Sequence, residues 1–155
     1  VARLLSAGLN VGRPERHRGL EDRRVEKATQ AVAEVRSRFV GDAGTVVTSV
    51  VGVVDRGGVR WVFVDAGVFT GLVETLDEAI RYPIRTVHDG DRTEPCVIAG
   101  PTCDSADILY EKADYKLPDD LQIGDKLEIR AAGAYTSTYA SVAFNGFEPL
   151  KTYCV

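Results

Sequence analysis

Cys103, Asp104 and Asp107 stand within five residues of one another, directly after Gly100-Pro101 ends the short apolar run Cys96-Val97-Ile98-Ala99. A thiol can give and take a proton at moderate pH, and a carboxylate can hold an alkylammonium in a partly dry site. Gly-Pro after a β-like run reads as a strand end turning into a loop, the place where a rigid sheet commonly holds reactive groups. A structural reading competes with this one. A lone Cys is often buried as a small hydrophobe, and Asp104 and Asp107 are ordinary turn and cap residues. Residue types at this stretch leave both readings open for Cys103 and Asp104, while Asp107 reads as a loop-capping carboxylate.

The elements that must carry this loop are mostly β. Thr45 to Val54 is β-branched almost throughout, Asp55-Arg56-Gly57-Gly58 makes a turn, and Val59 to Asp65 returns as the partner strand of a hairpin. Within it Trp61 and Phe63 alternate with Val62 and Val64, so one of the two sets faces the core. A mixed segment follows from Gly67 to Tyr82, then a short strand at Pro83-Ile84-Arg85 and a turn at His88-Asp89-Gly90-Asp91, with His88 a turn residue. Beyond the Cys103 loop come Ile108-Leu109-Tyr110, the in-and-out run Leu127-Glu128-Ile129-Arg130-Ala131, a segment from Gly133 to Val142, and a tight turn at Phe144-Asn145-Gly146-Phe147. Short strands parted by Gly, Asp and Pro predict a mostly β fold, a barrel or sandwich.

In front of this body the pattern is different. Val25, Ala28, Val32, Val35 and Phe39 recur at three and four residues, predicting one amphipathic helix from Glu21 to about Phe39. Residues 1–38 carry nine Lys/Arg against five Asp/Glu, whereas the remainder carries ten against eighteen. The expected division is therefore a basic helical lead over 1–38 and an acidic β-domain over 39–155. No aromatic residue interleaves the arginines of the lead, which argues against nucleic acid, and the acidic body suits amines. No apolar run approaches the roughly 20 residues that cross a bilayer, and residues 1–8 lack a signal-peptide core, so no membrane partner and a cytoplasmic location are expected. Three cysteines, with no CxxC pair and two histidines, make a poor zinc or disulfide framework; no metal site is expected, and Cys96 and Cys154 read as buried thiols.

Gly100-Pro101-Thr102-Cys103-Asp104-Ser105-Ala106-Asp107, followed about thirty residues later by Gly133-Ala134-Tyr135-Thr136 and then Phe144-Asn145-Gly146-Phe147, resembles the C-terminal β-domain of the ornithine/diaminopimelate/arginine decarboxylases, fold-type III pyridoxal-phosphate enzymes. Gly41 to Val47 and Val64-Asp65-Ala66-Gly67-Val68-Phe69 are similar too, and the likeness is nearest to bacterial ornithine or lysine decarboxylases. The resemblance implies that Cys103 protonates the carbon left by loss of CO2. It implies that Asp104 binds the distal ammonium of the substrate, with Glu78 near a second acidic contact. It implies that Tyr135 and Arg38 contact the cofactor phosphate, and that the site straddles a subunit interface of a dimer.

The same comparison shows departures. Members of that family carry a barrel of about 250 residues before the β-domain. It supplies the Schiff-base lysine, a histidine stacked on the ring and a glycine-rich phosphate loop, none of which is present in these 155 residues. The family's Glu-Pro-Gly-Arg is replaced by Val35-Arg36-Ser37-Arg38, in which Arg38 alone matches and Glu34 is one place out of register. Without a carboxylate on the ring nitrogen the cofactor's electron sink is weakened, so the chain alone is not expected to decarboxylate. Three functions follow. The chain could be the β-domain half of a basic amino-acid decarboxylase, with pyridoxal 5'-phosphate and lysine brought by a separate barrel polypeptide. It could be a freestanding β-domain that binds a small molecule or catalyses without cofactor. It could be a regulatory copy that pairs with a complete subunit.

Overall fold

The structure, a computed structural model, describes residues 40–154. The helix expected from Glu21 to Phe39, Arg38, and the expected boundary at residue 38 lie outside the described residues. Eight strands follow one another: β1 (Val46–Arg56), β2 (Val59–Val64), β3 (Ile84–Thr86), β4 (Thr93–Pro95), β5 (Val97–Ala99), β6 (Ile108–Tyr110), β7 (Lys116–Pro118) and β8 (Lys126–Ile129). Six form one sheet in the order β3-β8-β1-β2-β5-β6, and β4 pairs with β7 in a second. Short 3₁₀ turns at Val73–Glu78 and Ser137–Tyr139 complete the regular structure. Among the described residues no helix is long and apolar enough to cross a membrane.

The hairpin forms where the sequence places it. Asp55 pairs with Arg60 and Arg56 with Val59, leaving Gly57-Gly58 as a two-residue loop. Both glycines have positive φ, 65° and 83°, the conformation a tight hairpin turn needs and side chains resist. On β2, Val62 and Val64 are fully buried, while Trp61 and Phe63 stack on the other face, 6.0 Å apart, beneath the Arg56 guanidinium. A bulge between Val50 and Gly52 bends β1, so its first half pairs with β8 and its second half with β2. Such a bend lets one long strand serve a curled sheet.

Tyrosine hydroxyls hold the two edges of that sheet together. Tyr110, in edge strand β6, donates to Ile80 O at 3.1 Å and accepts from Tyr82 N at 2.8 Å. Tyr115 donates to Tyr82 O at 2.7 Å and accepts from Ile84 N, in edge strand β3, at 3.1 Å. The rings of Tyr110 and Tyr115 stack at 4.7 Å. Backbone hydrogen bonding leaves the sheet open, and these side chains satisfy the edge groups that would otherwise be unpaired. Inside the curl lie Val50, Val62, Val64, Leu72, Ile98, Leu109, Leu117, Leu127 and Ile129. Burying one such side chain contributes about 1.5–3 kcal/mol. The fold is the mostly β architecture expected.

Strands β4 and β7 were not evident in the sequence, because each ends in a proline, Pro95 and Pro118. Proline removes a ladder donor and demotes a run to an edge position, and a two-stranded ribbon is made of edges. Cys154 departs from expectation as well: its thiol is exposed, whereas Cys96 is buried as expected. Residues 151–154 form no regular structure and are exposed, with Tyr153 79% exposed, so Cys154 finds no core to enter.

Candidate functional site at one end of the sheet

β5 ends at Ala99, and the chain passes through Gly100-Pro101 into a tip on which Cys103 has φ 60° and an exposed thiol. The left-handed conformation costs a residue with a side chain about 1–3 kcal/mol, so the surroundings must enforce it. Its Sγ donates a weak hydrogen bond to Pro101 O at 3.7 Å. Asp104 opens a turn in which Asp107 N donates to Asp104 O at 3.0 Å and Ala106 N donates to Asp104 Oδ1 at 2.8 Å. That last bond fixes the half-buried carboxylate over its own turn.

Asp107, the expected capping residue, lies deeper than a turn carboxylate usually does. It is 2% exposed. Val68 N donates to Oδ1 at 2.8 Å, and Thr102 donates to Oδ2 through its N–H at 3.0 Å and its hydroxyl at 2.6 Å. Two glycines make the room, since a Cβ on Gly67 or Gly100 would fall 2.1 or 2.3 Å from Asp107 Oδ1.

The segment Gly67–Leu72 gathers the other loops. Ser141 N donates to Phe69 O at 2.8 Å and Leu150 N to Thr70 O at 3.3 Å, and Phe69 stacks on Phe144 at 4.1 Å. A Cβ on Gly71 would lie 3.5 Å from Thr136 O, which puts the Tyr135 loop against the same segment. Asn145, held at φ 49° in the expected turn, donates from Nδ2 to Thr102 O at 2.9 Å. The Cys103 loop, the Tyr135 loop and the Phe144–Phe147 turn therefore all rest on one short segment. Tyr135 has φ 56° and is 36% exposed, and its ring meets Tyr139 edge-on at 5.7 Å.

Glu78 is engaged elsewhere. It ends the first 3₁₀ turn with φ 57°, and its Oε1 accepts from Glu111 N at 2.7 Å and Lys112 N at 2.5 Å. Its slight burial works to raise its pKa, but these N–H groups outweigh it and hold the carboxyl below its usual range. Two cavities also lie elsewhere. One of about 740 Å³ is lined by Arg85, Lys126, Glu128 and Arg130, and one of about 390 Å³ by Glu74, Arg81, Tyr82 and Ala134; Cys103 and Asp104 line neither. The Cys103 tip is thus an exposed edge that can be covered by another body. Sequence reasoning did not pick out Thr102, Asn145 or the gathering role of Gly67–Leu72; the glycines at 67 and 100, flanking a distant Asp, were the available signal.

The curled, mostly β sheet is the fold of decarboxylase C-terminal sheet domains. The family described as pyridoxal-dependent decarboxylase, C-terminal sheet domain, matches residues 19–133, and the chain belongs to this family. It is 36% identical over 107 residues to the lysine/ornithine decarboxylase of Selenomonas ruminantium, covering 69% of this chain and 26% of that one. The lysine/ornithine decarboxylase of Vibrio vulnificus, solved with cadaverine, superposes with a TM-score of 0.64 at 36% identity, covering 73% of this chain and 30% of that one. The diaminopimelate decarboxylase of Helicobacter pylori, solved with L-lysine, gives 0.58 at 33% identity, covering 70% and 26%. The chain spans about a quarter to three tenths of these proteins' length.

Proposed function

We propose that this chain is the sheet-domain part of a pyridoxal-phosphate-dependent decarboxylase of basic amino acids, of ornithine or lysine type, and that a cofactor-binding barrel completes its site. The observation that carries the reading is the exposed, left-handed Cys103 beside Asp104 on a tip anchored from within. Such a tip is built to meet something outside its own fold. The ligands of the related structures, cadaverine and L-lysine, are alkylammonium compounds, which the acidic body and Asp104 suit.

The residues described fit the rim of a cofactor site. Tyr135 offers a neutral hydroxyl donor suited to a phosphate oxygen, and the Cys103 tip carries no lysine. When bound, pyridoxal phosphate supplies the electron sink into which the electrons of the broken C–C bond pass as CO2 leaves. The roles of this chain are then separate. Asp104 holds the distal ammonium of the substrate through the carboxylate oxygen that Ala106 does not occupy. Cys103 Sγ holds the proton that replaces the lost carboxylate at the substrate carbon. Tyr135 steadies the phosphate. Arg38 stands as a further contact to the phosphate on the strength of the family pattern, and Glu78, whose Oε1 is taken by the 111–112 backbone, has its other carboxylate oxygen to offer the amine.

Reconstitution tests this. The chain is mixed with pyridoxal phosphate and the barrel domain of the Selenomonas ruminantium relative, prepared without its own sheet domain, and CO2 release from lysine and ornithine is followed. Release should require both polypeptides. Cys103→Ala should lower kcat by about 10²–10⁴-fold, the usual weight of a positioned proton donor. Asp104→Ala should act mainly on KM, by about tenfold or more, as loss of one partner of a buried charge pair does. A complex that forms on gel filtration but releases no more CO2 than the barrel alone would overturn the proposal.

A further inference from the structure

We propose that Asp107 is a positioning residue for the Cys103 tip, acting through Thr102, with Asn145 as the outer brace. The inference rests on the decarboxylase reading only for the reaction that the positioned thiol serves. The Asp107 carboxylate bonds Val68 and Thr102, and not the Cys103 thiol or the Asp104 carboxylate. Its carboxylate is nine-tenths or more buried, a costly place for a charge unless donors surround it. Three donors do, and two of them belong to Thr102, the residue just before Cys103. Hydrogen bonds to an ionised acceptor are roughly twice as strong as neutral ones, so this is a stiff anchor.

The remaining backbone acceptor of Thr102 is taken from the opposite side. Its carbonyl receives Asn145 Nδ2 at 2.9 Å. The N–H, hydroxyl and carbonyl of Thr102 are thus all fixed, and the next residue in the chain is the one at φ 60°. A left-handed residue persists only where its neighbours over-determine it. Here the over-determination falls on the peptide that aims the Cys103 side chain. An anchor serving stability alone would not need three constraints on one residue next to a strained thiol.

The test reads the thiol directly. In the whole chain carrying Cys154→Ser, Cys96 is buried and Cys103 is the exposed thiol, so iodoacetamide consumption reports its accessibility. Thr102→Val keeps the shape of the side chain and removes the hydroxyl; Thr102→Ser keeps the hydroxyl and is the rescue variant. Thr102→Val, Asn145→Ala and Asp107→Asn should each speed alkylation by about fivefold, the population change governed by one net hydrogen bond. Thr102→Ser should stay near the parent rate. If Thr102→Val, folded by its urea midpoint, alkylates at the parent rate, the proposal fails, whatever the reconstituted mixture does. Faster alkylation together with a mixture that releases no CO2 would uphold the positioning role and remove the decarboxylase reading instead.

Discussion

Replacing Gly100 with alanine puts a methyl carbon 2.3 Å from Asp107 Oδ1 and 2.5 Å from its Cγ and Oδ2, where ordinary contact begins at 3.4 Å. The backbone at Gly100 has no positive φ, so the clash is the only cost of the substitution. To clear the methyl the carboxylate must move by about 1 Å, more than its three bonds of 2.6–3.0 Å tolerate. With hydrogen bonds to a charged group at about 1.5–3 kcal/mol each and overpacking at about 1–3 kcal/mol, Gly100→Ala should cost about 3–5 kcal/mol. Asp107→Ala leaves the same three donors without an acceptor and should cost a similar amount. The double variant decides the cause. Its methyl occupies the space the carboxylate has vacated, so it should be no less stable than Asp107→Ala, a coupling of about 3 kcal/mol. Urea unfolding of the 155-residue chain, followed by the fluorescence of its single tryptophan, Trp61, measures all three. Costs that add to within about 0.5 kcal/mol would refute the claim that this glycine exists to seat Asp107.

Three further outcomes are expected. Tyr115→Phe should destabilise the chain by about 1–3 kcal/mol in the same urea assay, because Tyr82 O and Ile84 N lose the hydroxyl that holds edge strand β3 and the residue leading into it; an unchanged midpoint would mean that this hydroxyl does not hold the curl. Burial pushes the Asp65 carboxyl up, but donation from the Thr48 hydroxyl and Ser49, with Lys126 nearby, outweighs it and holds the pKa below the usual range. Such a group stabilises the fold above its unfolded pKa and loses that contribution as pH falls through its folded one, so the urea midpoint should drop below about pH 4, and less steeply in Asp65→Asn. Finally, burial pushes the Cys96 thiol up to about 11 although Arg60 works against it, so two of the three thiols should react with a maleimide in the folded chain and all three in denaturant.

The local pattern of this amino-acid sequence was enough to place the β1–β2 hairpin, the end of β5 at Gly-Pro, the positions of β6 and β8, the turn at Phe144–Phe147 and the loop bearing Cys103. Each depends on neighbours a few residues apart: paired glycines that accept positive φ, alternation of buried and exposed side chains, Gly-Pro closing a strand. The motifs, read as a family resemblance, also named the class of protein. What the linear pattern does not carry is any contact across a long stretch of chain. Asp107 reaches Val68 across 39 residues and Asn145 reaches Thr102 across 43, and no periodicity records such a meeting. The tertiary structure therefore decided that a capping aspartate is a buried anchor, that the Glu78 carboxylate is used by the 111–112 backbone, and that Cys154 stands outside the core. It also paired β4 with β7 despite their prolines. Burial and pairing belong to the whole packed chain, and only folding brings together groups this far apart.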